Sequence, residues 1–100
     1  MKHVLIIEET PMFREYIRQK LEANDIEVSY GVNALDGITK MKNNHPDLII
    51  MDLQLGRQGY MEVLKAKKNT LNVVNVPVIV TTRVSPTVSL LCRRLFRSWK

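Results

Sequence analysis

"HPDLIIMDLQLG", residues 45–56, runs four apolar side chains, Leu48 to Met51, straight into a carboxylate at Asp52. An unbroken apolar run of this length reads as a strand covered on both faces, the pattern that parallel sheets demand. The acid at its far end needs a reason. The bland one is a turn or capping residue after the strand. The sharper one is a carboxylate held rigidly at the sheet's working edge.

The flanking sequence supplies the rest of the sheet. His3 to Ile7 (HVLII) is a short β-branched and aliphatic strand that ends at Glu8 and Glu9. Thr10 is a candidate N-cap and Pro11 sits where a helix likes to begin. Met12, Phe13, Tyr16, Ile17 and Leu21 then recur at helical spacing, giving an amphipathic helix to about Ala23. Ile26 to Tyr30 alternates as a second strand. Asn33 is placed to cap a helix carrying Leu35, Ile38 and Met41 and ending near "NNHP", with Gly37 inside it at ~1 kcal/mol relative to Ala. A third helix runs from Met61 to Lys68, starting near Gln58. Val76 to Thr82 (VPVIVTT) is the fourth strand, with Pro77 at its entrance, where a missing N–H does least harm. The order βαβαβαβ predicts right-handed crossovers and a parallel sheet with helices on both faces.

The charge is unevenly distributed. Residues 1–82 hold ten acids and ten Lys or Arg, so the net charge of +5 comes wholly from Arg83, Arg93, Arg94, Arg97 and Lys100. The same last eighteen residues hold the only Cys, Cys92, and the only Trp, Trp99. The expected organisation is a neutral α/β domain over 1–82 and a basic segment over 83–100. In that segment Ser85–Pro86 can start a helix whose Val88, Leu91 or Cys92, Leu95 and Trp99 line one face. A lone Cys forms no internal disulfide and reads as a packed thiol. No apolar run approaches the ~18 residues of a membrane span. Val4 to Ile7 is too short, and too soon followed by acids, for a signal-peptide core. Cytoplasmic residence is therefore expected. The four glycines form neither a P-loop nor a dinucleotide fingerprint. His3 and His45 read as surface or strand-end residues, since no second His or Cys stands at metal spacing.

In an open parallel sheet, ligands bind outside the carboxyl ends of the strands, where strand order reverses. If the first strand is central, with the second and third on either side of it, the crevice lies between strands one and three. Glu8, Glu9 and Asp52 would then converge there. Like charges at short range oppose each other's ionisation, so such a cluster needs shared protons or a cation. Mg²⁺, held by one or two carboxylates while keeping waters and phosphoryl oxygens, suits it. A carboxylate beside that ion can attack a phosphoryl donor and become an aspartyl phosphate. Thr82, at the end of strand four, is placed to hydrogen-bond a phosphoryl oxygen, although strand propensity alone also explains a Thr there.

At these residues the chain resembles the receiver domain of bacterial two-component response regulators. "VLIIEETPMFREYI" is similar to that family's first strand, acidic pair and first helix. "PDLIIMDLQL" resembles its third strand with the phosphoacceptor, and "VPVIVTT" its fourth strand. The resemblance implies a flavodoxin-like, doubly wound sheet of order 2-1-3-4. It implies Asp52 as phosphoacceptor and Thr82 as switch hydroxyl. It further implies Glu8, Glu9, Asp52 and the backbone carbonyl of Gln54 around Mg²⁺. The donor would be a histidine kinase or a small acyl phosphate, the output an unspecified partner, and any catalysis self-phosphotransfer. The sequence departs from the family in three places. Both members of the acidic pair are Glu. Leu55–Gly56 and Gly59–Tyr60 replace the usual Met-Pro and Asp-Gly. No fifth strand, Lys-Pro pair or last helix follows Thr82, as if the domain were truncated after strand four. Two other functions compete with phosphoacceptance. One is a phosphorylation-independent module that self-associates, for instance as a homodimer, through an open sheet edge. The other is nucleic-acid or anionic-membrane binding through 83–100.

Overall fold

The apolar runs at His3–Ile7 and Leu48–Asp52 lie side by side at the centre of a four-stranded parallel sheet. The computed structural model describes residues 2–52, 55–56 and 59–81. In chain order its elements are β1 (His3–Ile7), α1 (Pro11–Glu22), β2 (Glu27–Gly31), α2 (Ala34–Asn44), β3 (Leu48–Asp52), α3 (Gly59–Lys68) and β4 (Val78–Thr81). The strand order is β2-β1-β3-β4, as the resemblance implies. The expected basic helix after Ser85 lies outside the described residues, as do Gln54, Gln58 and Thr82.

Strand periodicity of two sorts the core into two layers. Val4, Ile6, Leu48 and Ile50 face one side with Ile17 and Leu21 of α1, and half-buried Phe13, Tyr16 and Ile79 pack against them. Leu5, Ile7, Ile49 and Met51 face the other side with Met41 of α2, Val63 of α3, Leu55 and Val73. Both central strands are therefore sealed on both faces, which is why their sequences do not alternate.

Gly37 is explained by α2 lying directly on the sheet. A Cβ at Gly37 would stand 2.7–2.9 Å from the Ile7 side chain, and one at Gly31 would stand 2.5 Å from the Gly37 Cα. The approach of helix to strand outweighs the propensity that glycine forfeits.

Four details differ from expectation. Thr10 precedes α1 with extended backbone but makes no side-chain cap bond, whereas the Asn33 side chain accepts from the Asp36 N–H at 2.8 Å. Met12 and Leu35 are not core residues, being 80% and 75% exposed. Each is the second residue of its helix. β2 begins at Glu27 and includes Gly31 rather than running from Ile26 to Tyr30. β4 begins at Val78 and not Val76, because the Val76 N–H is already donated to the Val73 carbonyl in the preceding turn.

Candidate functional site

Each strand of a parallel sheet delivers its last residue to the same edge, so the register decides which end residues meet. Ile7 stands beside Met51, and the next residue on each chain is Glu8 and Asp52. The ladder to β2 continues through Glu8, whose N–H donates to the Gly31 carbonyl at 3.0 Å. On the other side Asp52 stands beside Thr81. Alternation from Ile6, Ile50 and Ile79 puts Glu8, Asp52 and Thr81 on the α1 side of the sheet, in a row across three strands. They are also the buried polar residues of the described chain, at 1%, 1% and 3% exposure. A buried polar group is held only where something compensates its lost hydration, so three in one row make this edge the candidate site.

The loop from β1 to α1 is fixed by this acid. Glu8 Oε1 accepts the Thr10 N–H at 3.0 Å, and the Glu8 carbonyl accepts from Arg14 Nη1 at 2.8 Å. The Arg14 guanidinium also lies over the Tyr30 ring, 5.7 Å from its centroid, which ties the start of α1 to β2. Glu9 is exposed and leans the other way: a Cβ at Gly56, in the loop after Asp52, would sit 3.4 Å from Glu9 Oε1. Gly56 has φ +55°, the left-handed region in which glycine is unstrained.

The convergence expected of Glu8, Glu9 and Asp52 is thus only partly met. Strands one and three are neighbours, and Glu8 and Asp52 end them side by side. Among the described residues, however, no three His, Cys, Asp or Glu side chains are grouped closely enough to hold one metal ion. Glu8 is turned into its own loop by the Thr10 N–H, while the neighbouring Glu9 points outward over Gly56. The donor chemistry nonetheless fits Mg²⁺. Hard carboxylate oxygens suit it, and one or two of them suffice because the ion keeps waters.

Thr81 is the site residue that sequence reasoning missed. Its hydroxyl faces the Met51 carbonyl at 3.5 Å, one residue before Asp52. Two threonines stand in succession at the end of β4, and only the register with β3 tells which one lies opposite the acid. Arg14 was equally unmarked, since an Arg on an amphipathic helix reads as solvated.

At the opposite, amino edge His3 has a structural role. Its ring nitrogens lie 2.9 Å from Ser29 Oγ and 3.2 Å from the Asn44 carbonyl, and its N–H donates to Asp47 Oδ2 at 2.9 Å. His45 takes a left-handed conformation at the C-terminus of α2 and contacts the Asn72 side chain. Neither approaches the row of buried polar residues. No helix among the described residues is long and apolar enough to cross a membrane.

Comparison with known proteins adds an independent line. The family model of the response regulator receiver domain matches residues 4–91, which carries the likeness past Thr82 into the basic segment. The polar-differentiation response regulator DivK of Brucella ovis is 32% identical over 81 residues, covering 81% of this chain and 66% of DivK. The chain thus spans just under two thirds of the length of that relative. Among solved structures, a signal receiver domain from Clostridium thermocellum superposes with a TM-score of 0.72 at 26% identity, over 82% of this chain and 68% of that one. Chemotaxis response regulator CheY4 of Vibrio cholerae superposes with a TM-score of 0.75 at 20% identity, over 80% and 67%, a likeness of fold.

Proposed function

The chain belongs to the response regulator receiver domain family of two-component signalling, and from that premise we propose that it accepts a phosphoryl group on Asp52. The observation that carries this reading is the row Glu8–Asp52–Thr81, the buried polar residues of the described chain, at the carboxyl edge of the sheet. A carboxylate oxygen of Asp52 attacks the phosphorus of a histidine kinase's phosphohistidine or of a small acyl phosphate. The new P–O bond forms as the donor's P–N or P–O bond breaks, and the leaving imidazole or carboxylate keeps the electron pair. Because Asp52 ends a strand whose five residues are all buried, the nucleophile is positioned without a flexible stem.

Mg²⁺, when bound, neutralises charge between the attacking carboxylate and the phosphoryl oxygens. In this reading Asp52, Glu9 and the backbone carbonyl of Gln54 would hold it. Glu8 holds the loop through the Thr10 N–H and would act on the ion only through water. Thr82 serves as the switch hydroxyl that reports the phosphoryl group to an output partner. The work is self-catalysed phosphotransfer, and cytoplasmic residence beside a kinase belongs to the same reading.

Intact mass measurement after treatment with acetyl phosphate and Mg²⁺ tests it. One hydroxylamine-labile phosphoryl adduct is expected, absent when Mg²⁺ is chelated and absent in Asp52→Asn. No adduct on the native chain, or an adduct that survives Asp52→Asn, overturns the proposal.

A further inference from the structure

Glu9 and Gly56 belong to different loops, one leaving β1 and the other leaving β3. β1 and β3 are neighbours, so these loops border the crevice beside Asp52. The Glu9 side chain crosses it. A Cβ at Gly56 would stand 3.4 Å from Glu9 Oε1, at van der Waals contact. Among the described residues beyond its chain neighbours, no other atom lies within 4 Å of that point. Gly56 also has φ +55°. A turn that needs this conformation takes Gly most easily, but Asn and Asp visit it too. Conformation alone therefore leaves those two residue types open. The Glu9 carboxylate closes them off, because any longer side chain at 56 starts from a point already touching it, and an Asp would add a like charge.

Reach is the other half of the geometry. The additional methylene of Glu9 carries its carboxylate ~1.5 Å further from the backbone than an Asp would, and that length is what brings it from one loop to the other. Mg²⁺ holds its ligands at ~2.1 Å in a near-ideal octahedron and does not follow a displaced carboxylate. We propose that Gly56 is a positioning residue for Mg²⁺ binding. Its bare backbone sets where the Glu9 carboxylate stands, and the long acid and the glycine act as a matched pair. The proposal rests on the reading of Asp52 and Glu9 as the carboxylates that hold the ion. Two departures of the sequence from the receiver pattern, at Glu9 and at Gly56, thus meet in space and form a single adjustment.

Mg²⁺ alone, titrated into the full-length unphosphorylated chain and followed by backbone amide NMR shifts, tests the pairing without a phosphoryl donor. Gly56→Ala should weaken Mg²⁺ binding about tenfold while Glu9 is present. In a Glu9→Asp background the same substitution should change affinity by less than about twofold, the limit for uncoupled sites. Glu9→Asp alone should also weaken Mg²⁺ binding, because the shorter acid no longer crosses between the loops. Urea midpoints separate backbone strain from positioning. The strain of Gly56→Ala at a positive φ lowers the midpoint equally in both backgrounds, whereas affinity falls in only one. Tighter Mg²⁺ binding in Glu9→Asp overturns the inference, and so does an affinity loss from Gly56→Ala of equal size in both backgrounds. Either result leaves the metal reading standing. A native chain whose amide shifts do not respond to Mg²⁺ overturns that reading and this inference with it. Should Gly56→Ala fail to fold, the direction of the change in Glu9→Asp decides alone.

Discussion

Asp52 and Thr81 stand opposite one another in adjacent parallel strands, both sealed from solvent on the face of the sheet that carries α1. The acid is thereby flanked on one side by Glu8 and on the other by a hydroxyl. Its position depends on the register of three strands, and that register depends on how tightly the helices press on them.

α2 meets the sheet at two glycines. A Cβ at Gly31 would meet backbone, 2.5 Å from the Gly37 Cα, whereas one at Gly37 would meet the Ile7 side chain at 2.7–2.9 Å. Side chains can shift and backbone cannot without moving α2. Gly31→Ala is therefore expected to cost about 3 kcal/mol or more, at the upper end for overpacking. Gly37→Ala should cost less, about 1–2 kcal/mol, because Ala recovers ~1 kcal/mol of helix propensity. Urea denaturation midpoints at constant slope check the order, and equal losses would contradict it.

Capping provides a second contrast. The Asn33 side chain holds the Asp36 N–H, while Thr10 offers no side-chain bond to α1. Asn33→Ala should lose about 1 kcal/mol, and Thr10→Ala less than about half of that. Thermal unfolding of both variants beside the native chain is the measurement.

Arg14 links the loop of the candidate site to β2. It donates to the Glu8 carbonyl at 2.8 Å and lies over the Tyr30 ring. Arg14→Lys keeps the charge but loses the planar fork, so it should cost about 1 kcal/mol. Under the proposed chemistry it should also slow adduct formation from acetyl phosphate, because the Glu8 carbonyl then no longer anchors the loop. A variant equal to the native chain in both respects would leave Arg14 as packing only.

How much of this is legible in the sequence depends on how locally each feature is determined. The Leu48–Asp52 strand declares itself because burial on both faces leaves an unbroken apolar run, and the acid that interrupts the run stands out against it. Met12 and Leu35 misled because helical spacing says which face a residue takes but not whether a strand lies beneath it. Val76 looked like strand, yet its N–H is held by Val73 in a local turn that propensity does not reveal. Glu8 and Glu9 stand as one acidic pair in the sequence, whereas in the fold the Thr10 N–H holds Glu8 in its own loop. Individual backbone contacts of this kind leave no trace in residue types.

The two threonines at the end of β4 separate what register gives from what the family pattern gives. Register places Thr81 beside Asp52, with its hydroxyl 3.5 Å from the Met51 carbonyl. Resemblance assigns the switch hydroxyl to Thr82. At 3.5 Å the Thr81 contact is at the outer limit of a hydrogen bond, so Thr81→Val, which preserves shape and strand propensity, should change stability by less than about 1 kcal/mol. If Thr82 contacts the phosphoryl group, Thr82→Val lowers the yield of adduct at fixed time with acetyl phosphate and Mg²⁺, and Thr81→Val leaves it unchanged. The reverse pattern assigns the hydroxyl to Thr81 and makes Thr82 a strand-end residue. Loss in neither variant removes both threonines from the chemistry and leaves Asp52 to act with the metal and its own loop.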